Sequence, residues 1–126
     1  MRLIFIFLFS FTASYLCAQK SNYRRVLIFA PDSTDRAFSV QNSIFQKELA
    51  GCVERDIVVE NYLYKAGQAS FFKKYQIQTH DFTLILIGKD GLVRLRSKEV
   101  LPASRIYGIV DAMPMRKEEM RRKKKE

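Results

Sequence analysis

The chain has 126 residues and a formal net charge of +9, with 48% hydrophobic and 28% charged residues. That length predicts one folded domain rather than several. The composition is an ordinary globular mix, which excludes an extended disordered chain.

The first 18 residues are typical of a secretory signal peptide. A short basic start precedes an apolar run over Leu3–Phe11, and small residues lead to predicted cleavage after Ala18. A transmembrane anchor is one alternative, but the run is shorter than the roughly 20 residues that a span needs. A lipoprotein anchor on Cys17 is another, although bulky residues precede that cysteine. We expect an exported protein, periplasmic or secreted, with no membrane span after cleavage.

Cleavage at this point would leave Cys52 as the only cysteine of the mature chain. This excludes an intrachain disulfide and a Cys-x-x-C redox pair. A lone thiol in an exported protein is more often a small buried hydrophobic group than a catalyst.

Beyond the signal peptide, residues 19–23 are predicted to be a linker, 24–115 the domain and 116–126 a basic tail. The tail has seven basic and three acidic residues, a net charge of +4. A terminal segment of this kind is usually a solvated tail or a frayed helix, and the functional alternative is contact with an anionic surface. No aromatic residues are interspersed among its basic residues, so a stacking platform for nucleic acid is unsupported.

The first half of the domain predicts two strands with a helix between them. The buried run Arg25–Ala30 is followed by Pro31, which ends a strand, and residues 32–35 offer several N-cap oxygens. The following helix is predicted to run to about Ala50, and Ile57–Leu63 is rich in β-branched residues, which favour a strand. One apolar stripe on the helix places Cys52 toward the core and consists of Phe38, Phe45, Leu49 and Cys52, with Ile44 beside it.

The second half predicts a short helix, a hairpin and a last helix. The short helix spans Ala69–Tyr75, and the apolar run Phe82–Gly88 is typical of a strand buried on both faces. The turn at 88–91 contains Asp-Gly, a favoured hairpin dipeptide, and Leu92–Arg96 follows as an edge strand. A helix begins after Pro102 and is predicted to kink or end at Pro114.

The resulting element order is β-α-β-α-β-β-α. Helical connections join the first three strands, so we expect them to be parallel, and the short turn makes the fourth strand antiparallel. The prediction is an α/β fold of the minimal thioredoxin-like kind. It has a four-stranded mixed sheet in the order 2-1-3-4 and helices on both faces.

Several stretches resemble the DUF4174 family of domains of unknown function. They are RRVLIFAP at 24–31, RDIVVE at 55–60, GKDG at 88–91, LRS at 95–97 with Glu99, and IVDAMPMRKEEM at 109–120. The resemblance implies a thioredoxin-like, distantly peroxiredoxin-like fold. It also implies export, because bacterial members are mostly short exported proteins and animal relatives are extracellular matrix proteins associated with adhesion. It implies no particular chemistry.

Thioredoxin-fold enzymes place a reactive cysteine between the first strand and its helix, where the helix N-terminus favours the thiolate. In this chain no cysteine follows Pro31, and by counting Phe38 falls at the peroxidatic position. The proline that precedes the third strand of thioredoxins is also absent, and residues 79–82 stand there instead. Cys52 lies near the far end of its helix, where the helix dipole disfavours a thiolate.

Six residues are candidate binding residues, and we predict no catalytic residue, no metal site and no cofactor. Asp32, Ser33, Arg36 and His80 would line the edge of the sheet that such folds use for chemistry. The simplest interpretation of Asp32 and Asp35 is that they are helix caps. His80 without a second histidine or cysteine is a weak metal ligand. Arg94 and Arg96 share one face of the edge strand. They either discourage sheet pairing or contact a partner.

The sequence therefore predicts an exported, non-catalytic binding module. The expected partner is a protein or an anionic polymer at the cell envelope, with no specific nucleic acid, and the oligomeric state stays open. The alternative is an exported thiol-dependent, peroxiredoxin-like oxidoreductase that uses Cys52.

Overall fold

The computed structural model of the protein describes residues 20–78 and 80–126. The predicted signal peptide over 1–18, including Cys17, lies outside the described residues. Four strands and five α-helices follow one another in the described chain, with one 3₁₀ turn at Tyr64–Ala66. They are β1 (Arg24–Ala30), α1 (Arg36–Lys47), α2 (Leu49–Glu54), β2 (Ile57–Leu63), α3 (Ala69–Lys74), β3 (Thr83–Ile87), β4 (Val93–Ser97), α4 (Ala103–Asp111) and α5 (Pro114–Lys125).

The strands form one mixed sheet in the order β2-β1-β3-β4, which confirms the predicted order. β1 pairs in parallel with β2, and β4 pairs with β3 in the antiparallel direction, as the short turn predicts. β1 and β3 are the two inner strands, and both are almost wholly apolar and buried. Their continuous apolar runs fit strands that are covered on both faces.

The prediction that the first three strands are all parallel is wrong, because β3 runs antiparallel to β1. A parallel connection must carry the chain back along the full strand, and a seven-residue strand is about 23 Å long. Helix α3 has only six residues, so it is about 9 Å long. The connection therefore passes across the end of β1, and β3 starts at the edge where β2 stops.

Helices cover both faces of the sheet, as predicted, and each face has its own core. On one face α1, α2 and α4 cover Val26 and Ile28. On the other face α3 covers Leu27 and Phe29. Adjacent residues of β1 therefore contribute to different cores, since successive side chains of a strand point to opposite faces.

The helix predicted to run to about Ala50 is divided in two at Glu48. The hydroxyl of Tyr107 on α4 donates a hydrogen bond of 2.8 Å to the Glu48 carbonyl, which also accepts the first helical bond of α2 from the Cys52 N–H at 3.1 Å. Gly51 permits this close approach, because a Cβ there would lie 2.6 Å from the Tyr107 hydroxyl oxygen. Beyond the break, Cys52 is buried as predicted, but Leu49 is 65% exposed and does not belong to the core stripe.

The chain turns between α4 and α5 at Pro114, the first residue of α5, which confirms the predicted break. Most of the segment predicted to be a tail belongs to α5. Its end, residues 121–126, is exposed, but Arg116 is only 1% exposed. The solvated interpretation therefore fits the end of this segment and not its beginning.

Ion pairs attach the first turns of α5 to the body of the domain. The Arg24 guanidinium donates two hydrogen bonds to the Glu119 carboxylate, at 3.1 and 3.2 Å. Lys89 donates to the same carboxylate at 2.7 Å and to Asp56 at 2.8 Å. These contacts connect the start of β1, the β3–β4 turn and the α2–β2 turn to one carboxylate on α5.

Arg116 forms the second attachment. Its guanidinium donates to the Glu54 carbonyl at 3.1 Å and to the Glu54 carboxylate at 3.2 Å. It also contacts Asp111, whose carboxylate receives two hydrogen bonds from Arg55 at 3.0 and 3.1 Å. A buried guanidinium is stable only when its donors are satisfied in this way.

We predict that Arg116→Ala lowers the free energy of unfolding by about 2 kcal/mol, because the partner carboxylates lose a buried cation. The value is at the low end for a buried pair because Glu54 is largely exposed. The measurement is urea unfolding of the mature chain. The matched control is Arg121→Ala on the same helix, whose side chain is 66% exposed, with an expected change below about 0.5 kcal/mol. Equal effects of the two substitutions would contradict the buried attachment.

Acidification should weaken the same attachment. Burial opposes ionisation of Glu119 and Asp111, but hydrogen bonds from their arginine and lysine partners outweigh it and lower the pKa of both carboxyls. A lowered folded-state pKa stabilises the fold above the ordinary values of 4.5 and 3.8, and the contribution is lost as the pH falls through the lowered values.

We therefore expect the free energy of unfolding to fall between pH 5 and about pH 2. Glu119→Gln should be less stable at pH 7 and should lose less stability on acidification, whereas Glu118→Gln, on the exposed side of α5, should behave as the unmodified protein. Urea unfolding at a series of pH values measures both slopes. An unchanged slope in Glu119→Gln would refute the assignment.

Candidate functional site

The edge of the sheet at the end of β1 is where the first four candidate residues lie. Phe29 near the end of β1 is opposite Thr83 at the start of β3. The loop after β1 and the segment before β3 therefore border the same edge. The sequence order alone places Asp32, Ser33 and Arg36 on one side of it and His80 on the other.

The loop after β1 is held together by its own polar side chains. Asp32 accepts hydrogen bonds from the backbone N–H of Thr34 at 2.9 Å and from the Thr34 hydroxyl. It also accepts one from Lys65 at 3.1 Å. The Thr34 contacts, followed by that with Lys65, lower the pKa of Asp32, so this carboxylate is a poor proton acceptor at neutral pH.

The helix-cap prediction is confirmed for Asp35 and wrong for Asp32. Asp35 is the N-cap of α1, and its carboxylate accepts a hydrogen bond of 3.0 Å from the backbone N–H of Phe38. The remaining candidates Ser33, Arg36 and His80 are exposed. Among the described residues no hydrogen bond or ion pair joins these three to one another, so they share an edge without forming a contact cluster.

Cys52 lies away from this edge and is 2% exposed. Its sulfur is 3.5 Å from the Tyr107 hydroxyl oxygen. Burial, together with the hydrogen bond to Cys52, raises the pKa of Tyr107. The Tyr107 hydroxyl donates its proton to the Glu48 carbonyl, so its oxygen can accept a hydrogen bond from the Cys52 thiol. Helix α2 leads into β2, whose first residue pairs with Arg24, which places the thiol toward the opposite end of β1.

The expectation that Arg94 and Arg96 share one face is wrong. The register of β4 against β3 shifts between Leu86 and Ile87, so that Arg94 is the extra residue of a β-bulge. Arg96 donates a hydrogen bond of 2.8 Å to the Tyr75 carbonyl beyond α3. Arg94 is paired with Asp90 and borders a cavity on the other side, beside Arg24.

Two openings lie where α5 meets the start of β1, at the end of the sheet opposite the candidate edge. The larger, of about 770 Å³, lies between residues 21–23 and α5, and Arg122 contributes to its wall. The smaller, of about 260 Å³, contains Arg24 and Arg94 in its lining. Lys89, Pro114 and Met115 line both, so the openings adjoin.

Of the residues at this end, sequence reasoning selected only Arg94. Arg24 stands beside Arg25 at the start of the apolar run, and Glu119 stands beside Glu118 within a basic run. The sequence does not distinguish the more buried member of either pair from its neighbour, and the pairing of positions 95 apart is not visible in it.

The described residues give two further findings about possible sites. None of the helices within residues 20–126 is both long enough and apolar enough to cross a membrane. Among the same residues, histidine, cysteine and carboxylate side chains do not come together in a group of three that could hold a metal ion.

Comparison with solved structures shows the fold. Thioredoxin peroxidase I of Plasmodium yoelii aligns with a TM-score of 0.60 at 14% identity, over 76% of this chain and 75% of its own. Plasmodium yoelii Prx1a, in a form modified at its N-terminus, gives 0.60 at 15% identity over 76% of each chain. Trxlp from Edwardsiella tarda gives 0.57 at 21% identity, over 74% of this chain and 86% of its own. At these identities the likeness establishes a thioredoxin-like fold and no activity.

No curated protein matches the chain. The family model described as "Domain of unknown function (DUF4174)" matches residues 16–119. The stretches that resemble this family, from RRVLIFAP to IVDAMPMRKEEM, lie in this range, except that Met120, the last residue of the final stretch, falls one position beyond it. Because the match extends over well more than half of the sequence, the chain belongs to the DUF4174 family.

Proposed function

We propose that the protein is an exported thioredoxin-like module that acts by binding rather than by thiol chemistry. The observation that carries this proposal is that neither of the two places where a thiol could act presents an accessible thiol. The loop between β1 and α1 contains no cysteine, and its Asp32 and Asp35 side chains accept hydrogen bonds from nearby backbone N–H groups. The thiol of Cys52 is buried against Tyr107.

Burial argues against the oxidoreductase alternative on physical grounds. A peroxide-reducing or disulfide-reducing thiol must be reached by its substrate and must ionise near neutral pH. Cys52 is 2% exposed, so a substrate cannot reach its sulfur without an opening of the structure. Arg55 lies over the ring of the neighbouring Tyr107 at 4.1 Å and is paired with Asp111.

The binding surface that we propose is the exposed end of α5. Residues 121–125 are five consecutive cations, all exposed, and Glu118 is the acidic residue that pairs with two of them. Positive side chains at a helix C-terminus are also favoured by the helix dipole, so this turn can remain helical while it presents charge. A surface of this kind suits an anionic polymer at the cell envelope.

We expect Cys52 to be unreactive in the folded protein. A thiol reagent such as dithiobis(nitrobenzoate) should label it at least about a hundredfold more slowly in buffer than in denaturant, because the sulfur must be exposed by an opening of the structure. Peroxide consumption should equal that of Cys52→Ser. Fast labelling together with turnover that disappears in Cys52→Ser would support the oxidoreductase alternative instead.

We expect retention of the mature protein on immobilised heparin, used as a model anionic polymer, to depend on residues 121–125. Replacing these five cations with glutamine should lower the salt concentration of elution to near that of a non-binding protein. The variant forms fewer ion pairs with the polymer, so its binding releases fewer counterions. A truncation after Met120 should act in the same way. A truncation after Met115 is unsuitable, because it also removes Arg116 and Glu119, which attach α5.

The matched control removes five other exposed lysines and so produces the same change in net charge. We choose Lys47, Lys65, Lys73, Lys74 and Lys98, all exposed and none on α5. This variant should elute at nearly the salt concentration of the unmodified protein. Equal losses of retention in the two variants would show that net charge alone determines binding and would refute a site at the end of α5.

A further inference from the structure

The two edges of the sheet differ in how they are protected against pairing with another strand. The β4 edge is short and contains the β-bulge at Arg94. Arg94, Arg96 and the following Lys98 also give it a row of cations. Bulges and charged side chains are the usual devices that prevent a sheet edge from accepting a further strand. The β4 edge is therefore closed to such pairing.

The β2 edge lacks these devices. Its register against β1 runs without a shift over all seven residues of Ile57–Leu63, and the strand contains no proline, lysine or arginine. Its one charged residue is Glu60, and the Arg25 guanidinium donates to that carboxylate at 2.9 Å. A regular strand with an unprotected edge is a template for another strand.

The hydrogen bonds at the start of β2 show which of its backbone groups are free. The Arg24 N–H donates to the Asp56 carbonyl at 2.7 Å, so Asp56 directs its backbone towards β1. Successive residues of a strand direct their backbone groups to alternate sides. The even-numbered residues of β2 therefore bond to β1, and the odd-numbered residues direct their N–H and C=O groups to the open edge.

Gln68 supports this assignment and limits the open edge. Its side-chain oxygen accepts a hydrogen bond of 2.7 Å from the N–H of Leu63, which is an odd-numbered residue. A side-chain amide therefore occupies the place of a neighbouring strand at this end of β2. The stretch that stays open is Ile57–Asn61, and Val59 lies at its centre.

Exposed apolar side chains lie beside the open stretch on the face of the sheet that α3 covers. Val58 lies on the same face as Tyr62, because the two are four positions apart on one strand, and it is 41% exposed. Phe71 of α3 is 38% exposed, and its ring centre is 4.6 Å from that of Tyr62. This side of the β2 edge can therefore bury apolar surface against a partner.

Helix α2 contributes a second apolar surface on the opposite face, where it packs against β2. Cys52 points into the core, and Gly51 faces Tyr107 on α4. Since successive residues of a helix are about 100° apart, Leu49 and Val53 lie on the side of α2 that points away from α4. They are 65% and 69% exposed, so this side of α2 is apolar and uncovered.

The charge distribution favours a second copy of this chain as the partner. Asp56, just before β2, is paired with Lys89 at 2.8 Å. Lys65, just beyond β2, is paired with Asp32 at 3.1 Å. Together with the pair at Glu60, these contacts make the β2 edge nearly neutral in a chain whose formal net charge is +9. Two cationic copies therefore repel one another least where their β2 edges meet.

We propose that β2 pairs in the antiparallel direction with β2 of a second copy, about a two-fold axis at Val59. In this register Val59 lies opposite its own counterpart, and Ile57 lies opposite Asn61. All three are odd-numbered residues, so their free N–H and C=O groups meet. Val58 lies opposite Glu60, so the two glutamates are not directly opposed, as like charges on paired strands would be unfavourable.

The same arrangement limits the size of the assembly. A two-fold pairing uses the same edge of both copies, and the closed β4 edges then lie at the two ends of the combined sheet. The assembly therefore stops at a dimer and does not grow into a fibre. The dimer would present two α5 ends, but its formation does not require that residues 121–125 bind a polymer.

The test is sedimentation equilibrium of the mature protein without polymer, at low and at high salt. We expect the mass to approach twice that of the monomer, with a Kd of about 100 μM or below, measured with protein at up to about 500 μM. Added salt should strengthen the association, because it screens the repulsion between cationic copies, whereas salt weakens retention on heparin. Hydrogen exchange of the Val59 and Asn61 amides should slow as the dimer forms.

Two substitutions of Asn61 separate backbone pairing from a side-chain contact. Asn61→Pro should raise the Kd at least about tenfold, because the ring removes a donor and obstructs the edge. Proline is tolerated where the N–H of an edge strand faces solvent, so the protomer should stay folded, and circular dichroism in dilute solution checks this. Asn61→Ala retains the N–H and should leave the Kd unchanged.

A second variant tests the register without altering the backbone. Val58→Glu should raise the Kd about tenfold, because it places a carboxylate opposite Glu60 of the second copy. The matched control is Leu92→Glu, which changes the charge equally at a residue of the β3–β4 turn that is 51% exposed. This control should leave the Kd unchanged.

The proposal is overturned if the mature protein is monomeric at every concentration. It is equally overturned if Leu92→Glu weakens the dimer as much as Val58→Glu, or Asn61→Ala as much as Asn61→Pro, because the contact would then not be a pairing of β2 strands. Loss of heparin retention with an intact dimer would refute the polymer surface alone.

Discussion

The ion pair between Arg24 and Glu119 joins the first residue of the central strand to the last helix, across 95 positions of sequence. Removing a guanidinium from water costs several kcal/mol unless its donors are satisfied. Two carboxylate oxygens and a backbone carbonyl satisfy the terminal nitrogens of Arg24. Lys89 shares the same carboxylate. The position of α5, and of the cavities beside it, therefore depends on Glu119 together with the second attachment through Arg116.

Local patterns in the sequence determine most of the fold, and the errors arise where a distant contact overrides them. Apolar runs at β1 and β3 predict buried strands, and Asp-Gly predicts the hairpin. The direction of β3 depends on the length of the preceding connection. The helix predicted over Ala69–Tyr75 is already too short to return along a strand, so a helical connection alone does not make the strands parallel. The first helix is divided at Glu48, where Tyr107 of α4 donates to the backbone carbonyl, and a stripe of apolar residues does not predict this division.

The candidate site likewise has features that the sequence predicts and features that depend on distant contacts. The absence of cysteine after Pro31 and the burial of Cys52 follow from residue identity and helical spacing, so sequence alone indicates a module without the usual redox site. The cavity beside Arg24 depends on contacts between β1, the β3–β4 turn and α5. Arg94 enters it only because a β-bulge changes the register of β4, and an alternating strand pattern predicts the opposite orientation.

The two ends of the sheet consequently differ in chemistry. At the end of β1, polar side chains of the loop satisfy one another, and the lowered pKa of Asp32 reflects that internal pairing. At the start of β1, charged side chains pair across the sequence instead, since Glu119 of α5 binds both Arg24 and Lys89. The polar contacts at one end of the sheet therefore hold a single loop together, whereas those at the other end attach the last helix to the first strand.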